Sequence, residues 1–171
     1  MLGSFHHVAF RCRDTAETMH FYTEVLGLKF SHAVANDYVG STGEFSPHLH
    51  TFFELDDSSS IAFFEVPLSP PKQKDPNTPA WVEHVAFRMR SYDEFKAFQK
   101  RLDDNKIEYL GPLEHYSQQY SIYFFDPNGI RLEFNVAAPI DPEKRAANAR
   151  RVLAQWEERR AKGFSQEKAD A

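Results

Sequence analysis

The sequence predicts an α+β protein: two β-α-β-β-β modules followed by a helix. Three observations predict it. The pentapeptide His7-Val8-Ala9-Phe10-Arg11 recurs as His84-Val85-Ala86-Phe87-Arg88, 77 residues on. Each copy is followed by a helix-capping residue and apolar residues at helical spacing. Each of these helical stretches is followed by three runs with strand character.

In the first module Asp14 is the N-cap, Met19, Phe21, Tyr22, Val25 and Leu26 carry the apolar stripe, and Gly27 ends the helix. Strand-like runs follow at about 28–39, 48–56 and 60–66, with the turn sequence Asp56-Asp57-Ser58-Ser59 between the last two. In the second module Ser91 is the N-cap, Phe95, Phe98 and Leu102 are the apolar positions, and the helix ends near Asp104-Asn105. Strand-like runs follow at about 107–111, 117–126 and 130–136, the last two joined by Asp126-Pro127-Asn128-Gly129.

Residues 1–138 therefore read as one domain, with modules at about 4–66 and 81–137 and a linker, 67–80, holding Pro67, Pro70, Pro71, Pro76 and Pro79. Residues 139–171 read as a C-terminal helical extension, opened by Asp141-Pro142-Glu143 with proline at the first helical position. Its sparse apolar positions, Ala146, Val152, Leu153 and Trp156, suit packing on the sheet exterior or, in the other reading, a dimer contact. Residues after Gly163 are expected to fray.

Composition narrows the function classes. The chain is 42% hydrophobic and 26% charged, ordinary globular usage that excludes disorder of the whole chain. A formal net charge of −5 does not support a nucleic-acid or anionic-membrane surface. No apolar run approaches the roughly 20 residues of a membrane span, and the N-terminus lacks a signal-peptide layout. Cys12 is the only cysteine, which leaves no internal disulfide and no cysteine-rich zinc site. These features lead us to expect a cytoplasmic protein with no nucleic-acid or membrane partner. The 25 aromatic residues, 16 of them Phe, predict sheet and a ring-filled interior.

Period-two alternation assigns faces to the strands. Val8, Phe10 and Cys12 point one way, and His7, Ala9 and Arg11 the other. The repeat does the same with Val85, Phe87 and Met89 against His84, Ala86 and Arg88. In the last strand, Ile130, Leu132, Phe134 and Val136 oppose Arg131, Glu133 and Asn135. The apolar faces belong under the helices. The opposite faces carry His7 and His84 at equivalent positions, with Glu133 facing as they do. A solvated antiparallel face also carries such residues. Brought together across two curved half-sheets, however, two imidazoles and a carboxylate make a facial triad, suited to non-haem Fe(II) but not naming the metal.

At these residues the sequence resembles the vicinal oxygen chelate superfamily, which holds glyoxalases, epimerases, fosfomycin and bleomycin resistance proteins, and type I extradiol dioxygenases. The resemblance covers roughly 4–137 and rests on HHVAFRCRDTAETMHFYTEVLGLKF, EHVAFRM and SIYFFDPNGIRLEF. It implies paired βαβββ modules forming a curved, barrel-like mixed-sheet cavity, with His7, His84 and Glu133 as metal ligands. The stretch from His115 to Glu133 is similar to the extradiol ring-cleavage signature: a histidine, an apolar-Tyr pair at Ile122-Tyr123, D-P-x-G and the ligand glutamate. Leu113 departs from it. That resemblance implies an Fe(II)-dependent dioxygenase taking a catechol-like vicinal diol and O₂ in aromatic catabolism, as a homodimer, with His115 and Tyr123 catalytic. Ni, Zn or Mn are the other metals the superfamily admits.

Two features pull elsewhere. Such dioxygenases carry a further histidine on the last strand of the first module, where this chain has Ser59 or Ser60; one of His48 and His50, one strand earlier, is a candidate substitute, and exposed strand or loop histidines are the other reading. Glu65 occupies nearly the place in its module that Glu133 holds in the other. That makes it a candidate fourth ligand or base in a glyoxalase I-like or epimerase-like alternative. A small-molecule-sequestering resistance protein is the third reading. Arg11 and Arg88 share the histidine face and, with His50, are candidates for substrate contact.

Overall fold

The computed structural model describes residues 3–115, 119–139 and 141–164. Each module sets its first strand beside its last. β1 (His7–Arg11) pairs in parallel with β4 (Ser60–Glu65), and β3 (Phe45–Glu54) and β2 (Lys29–Tyr38) extend the sheet in the order β1-β4-β3-β2. The second sheet repeats this with β5 (Val85–Arg88), β8 (Arg131–Ala137), β7 (Gln119–Phe125) and β6 (Leu110–His115), in the order β5-β8-β7-β6. Mixed sheets and a helix per module give the expected α+β class.

The caps act as their chemistry dictates. Asp14 accepts the Glu17 N–H at 2.7 Å and opens α1 (Thr15–His20); Ser91 accepts the Glu94 N–H at 3.1 Å and opens α2 (Tyr92–Asp104). α1 runs on into a π-helical turn, Phe21–Val25, and Gly27 at φ 78° ends it.

Two strand boundaries differ from the sequence reading, both at proline. β3 starts at Phe45 rather than near 48, and takes in Pro47. β6 runs over 110–115 rather than 107–111, and takes in Pro112. Proline reads as a strand breaker because it lacks an N–H. β6 lies at the sheet edge, where one missing donor is tolerated. The register slips between Leu110 and Leu113, and Gly111 fits there because an added Cβ would lie 2.6 Å from the Ser121 carbonyl oxygen. Residues 117 and 118, expected to begin the next strand, lie outside the described residues.

The helix-facing sides of both sheets merge into one core of Tyr22, Phe53, Ile61, Phe63, Phe95, Leu102, Ile122, Phe124 and Leu132, each nearly fully buried. Cys12 is buried there, as alternation required. Burying one such large side chain contributes about 1.5–3 kcal/mol. The D-P-N-G turn is a clasp as well as a turn. The Tyr22 hydroxyl donates to Asp126 Oδ2 at 3.1 Å, the Arg13 N–H to Asn128 Oδ1 at 2.8 Å, and Asn128 Nδ2 to Thr18 Oγ1 at 3.1 Å. These bonds tie the second module's turn to the first module's helix.

The chain divides into two compact units between Val136 and Ala137. In the second, Asp141 accepts the Glu143 and Lys144 N–H groups and opens α3 (Pro142–Lys162), in which no residue is buried. Residues 165–171, where fraying is expected, lie outside the described residues. No described helix is long and apolar enough to cross a membrane.

Candidate functional site

Register places the candidate side chains. Ala86 on β5 is level with Glu133 on β8, so Glu133 rises beside His84, which immediately precedes β5. His84 Nε2 lies 3.0 Å from Glu133 Oε2. His84 Nδ1 lies 3.0 Å from the Val82 carbonyl, which can only accept, so Nδ1 carries a proton. A neutral His84 therefore turns its Nε2 lone pair toward a carboxylate oxygen. Two acceptors this close require a proton or a cation between them. Glu133 is buried, and its other oxygen is held: Ser121 Oγ donates to Oε1 at 2.7 Å and Asn135 Nδ2 at 3.4 Å, while Asn135 also donates to Ser121 Oγ at 2.9 Å. A fixed imidazole tautomer and a braced carboxylate are what a metal ligand pair requires, so His84 and Glu133 fit a divalent ion.

His115 and Tyr123 stand beside this pair. Tyr123 Oη lies 3.1 Å from His115 Nε2, and the Tyr123 ring meets His84 edge-on with centroids 6.2 Å apart. Burial pushes the Tyr123 phenol above its usual pKa and the nearby Glu133 charge adds to this; the Ser121 hydroxyl and the Arg131 cation act the other way. The phenol is thus a neutral donor near pH 7. Leu110 and Leu113 are in register with Tyr123 and Ser121.

His7 lies on the first sheet in other company. Its Nδ1 is 2.6 Å from His6 Nδ1, and its ring meets His50 and Phe52 at centroid distances of 5.8 and 5.3 Å. His32, His48 and His50 share its face by register. His50 is stacked 3.6 Å from Phe64, and its Nε2 is buried without a hydrogen-bond partner among the described residues. Burial lowers the His50 pKa, and His7, His48 and His32 lower it further. Among the described residues, no three His, Cys, Asp or Glu side chains are placed to share one ion. The structure thus brings His84 and Glu133 together and holds His7 with His50.

Two sequence candidates, Glu65 and Arg11, stand differently from expectation. Ile61 is level with Val8, as Leu132 is with Val85, so Ala62 is the counterpart of Glu133. Glu65 falls instead on the helix-facing side with Ile61 and Phe63, and its Oε2 accepts the Thr15 N–H at 2.8 Å at the start of α1. Alternation through the buried run Ile61–Phe63 turns its carboxylate to the helix rather than to the histidines. Arg11 donates to the carbonyls of Pro70 at 2.6 Å, Ser69 at 2.8 Å and Val66 at 3.2 Å, so it anchors the linker. Arg88 is exposed and level with Asn135. Ser121, Asn135 and Arg131 gained no role from the sequence; the signal for two of them was their parity, two residues either side of Glu133. A cleft of about 550 Å³ opens elsewhere on the first sheet, between Asn36, His48, Glu65 and Pro67, and neither His84 nor Glu133 lines it.

This pairing of βαβββ sheets defines a class. The family model for the glyoxalase/bleomycin resistance protein/dioxygenase superfamily matches residues 4–134, and the chain belongs to that superfamily. It is 30% identical over 135 residues to the uncharacterised protein YwkD of Bacillus subtilis (strain 168), covering 78% of this chain and 96% of that one. A glyoxylase/bleomycin resistance protein/dioxygenase domain from Frankia sp. EAN1pec superposes with a TM-score of 0.64 at 20% identity, covering 81% of this chain and all of the other (100%). The fosfomycin resistance protein FosX from Listeria monocytogenes, solved with Mn(II) and sulfate, gives 0.56 at 17% identity, over 81% and 95%. At these identities the two structures share the fold.

Proposed function

We propose that this protein is a metal-dependent extradiol dioxygenase that opens the ring of a catechol-like vicinal diol with O₂. The observation that carries the reading is the His115 Nε2–Tyr123 Oη contact, 3.1 Å, set beside the His84–Glu133 pair. A relative of the same fold, FosX, was solved with Mn(II), which supports a divalent ion in this architecture. We assign Fe(II), held by His84, Glu133 and His7. Such an ion would supply Lewis acidity, which would ease ionisation of the diol, and open positions for the two reactants.

The protein's own groups do the rest. Tyr123, kept protonated by burial, donates to a diol oxygen and orients it. His115, released from Tyr123 as substrate enters, takes the proton of one diol hydroxyl and returns it to the product. Both oxygen atoms end in the ring-opened acid and one ring C–C bond breaks, so catechol plus O₂ balances a hydroxymuconic semialdehyde.

A glyoxalase-type reaction needs a second carboxylate as base. Ala62 stands at the counterpart of Glu133, and Glu65 caps α1, which weighs against that reading. We further propose a homodimer in which His7 of one copy meets the His84–Glu133 pair of the other. Co-expressed His7→Ala and Glu133→Gln chains test it: shared sites regain metal binding in mixed dimers, and sites contained in one chain do not.

The enzyme reading is tested by loading Fe(II) without air and adding a panel of catechols with O₂. Oxygen uptake with a yellow ring-opened product is expected. No uptake across the panel, with isomerisation of a glutathione hemithioacetal by Ni-loaded protein, would reject it.

A further inference from the structure

We infer that Arg131 binds a carboxylate on the substrate, so that the aromatic compound accepted is an acidic one. The diol part of this rests on the ring-cleavage reading above; the anion part rests on Arg131 alone.

Arg131 lies on β8, two residues before Glu133 and on the same face. Its guanidinium carbon sits 4.2 Å from the Tyr123 ring centroid, and its Nη1 donates to the Trp81 carbonyl at 2.7 Å. A guanidinium carries five N–H donors, and one is thus engaged. No described carboxylate forms an ion pair with Arg131; the acidic neighbour, Glu133, has its oxygens turned to Ser121, Asn135 and His84.

Stacking fixes the plane of the fork before any ligand arrives, which lowers the ordering cost of binding a flat, two-oxygen anion. The rim is apolar and open: Trp81 is 68% exposed and Leu110 57% exposed, with Val82 and Leu113 also in contact with water. These four flank the site, since the carbonyls of Trp81 and Val82 hold Arg131 and His84, and Leu110 and Leu113 are level with Tyr123 and Ser121. An aryl ring suits this rim, a hydroxyl suits Tyr123, and a carboxylate beyond the ring suits Arg131. The other two arginines considered from sequence are less apt, Arg11 being consumed by three carbonyls and Arg88 lacking any stacking partner among the described residues.

The test is calorimetric titration of the Zn(II)-loaded full chain, in which no turnover intervenes, with 3,4-dihydroxyphenylacetate, its neutral counterpart 4-methylcatechol, and phenylacetate. Wild type is expected to prefer the acid over the neutral diol by about tenfold or more, the range of a charge-assisted hydrogen-bonded pair. Arg131→Met is expected to bring that ratio near one, and Arg131→Lys to keep part of it; the Lys variant serves if the Met variant does not fold. A wild-type ratio near one, or a ratio unchanged in both variants, overturns the inference. Phenylacetate separates the two claims. If it binds through Arg131 while no diol binds or is cleaved, ring cleavage fails and the anion site stands. If diols are cleaved with no preference for acids, the anion site fails and ring cleavage stands.

Discussion

Ser121 Oγ donates to Glu133 Oε1 at 2.7 Å, inside a sheet where both groups are buried. The bond aims Oε2 at His84 by holding Oε1 away from it. Ser121→Ala removes the shorter of the two donors on Oε1 and leaves Asn135 at 3.4 Å. Partners of this kind are typically worth 10- to 100-fold in metal affinity. We expect Ser121→Ala to weaken divalent-metal binding by about 10- to 100-fold in chelator competition. An unchanged affinity would separate Glu133 from the metal.

His115 and Tyr123 share one contact, so their losses are expected to overlap. General acid–base groups contribute about 10²–10⁴-fold to rate. Either His115→Phe or Tyr123→Phe is expected to cut ring cleavage into that range with metal content kept. The double variant is expected to fall little below the worse single one, because each single change already breaks the shared bond. Multiplying losses in steady-state kinetics would show two independent roles.

Why half the site was readable follows from these residues. The repeat and the alternation of β8 single out His84 and Glu133 because parity is a local property of a strand. The caps Asp14 and Ser91 were equally legible, each being set by a side chain three residues from its partner. Glu65 was not, because which of two sequence offsets relates β4 to β8 is decided by pairing with β1 and β5, and register is a property of two strands. The company of His7 depends on β2 and β3, which the sequence brings near only through tertiary pairing. The clasp of Tyr22 and Asn128 on the D-P-N-G turn spans more than a hundred residues, so the turn motif showed its local role and concealed its long-range one.

Glu65 offers a clean contrast. Its carboxylate caps the N-terminus of α1 through the Thr15 N–H, where the helix dipole also favours a negative charge. Glu65→Ala is expected to cost about 0.5–2 kcal/mol in urea unfolding. Metal affinity is expected to stay at the wild-type value. A drop in metal affinity without a drop in stability would return Glu65 to the ligand set.

The Tyr22–Asp126 bond carries a pH signature. Burial raises the Asp126 pKa from 3.8, while hydrogen bonds from Ile130, Asn128 and Tyr22 pull it back. A carboxyl whose folded pKa is raised holds its proton more tightly in the folded state. Its contribution is therefore greatest below its ordinary value and is lost as pH rises through the folded value. Tyr22 opposes this, because its hydroxyl donates to the ionised form. Tyr22→Phe should therefore cost most above the folded Asp126 pKa, about 1.5–3 kcal/mol for a hydrogen bond to a charged group, and less at pH 3, where the acceptor is neutral. Urea unfolding of both proteins at pH 3 and pH 7 measures the difference. An equal cost at both values would mean that the Tyr22 hydroxyl does not favour the ionised form of Asp126, and no cost at either value would mean that Tyr22 acts through its ring contacts with Phe53 and Phe63, which the Phe variant keeps.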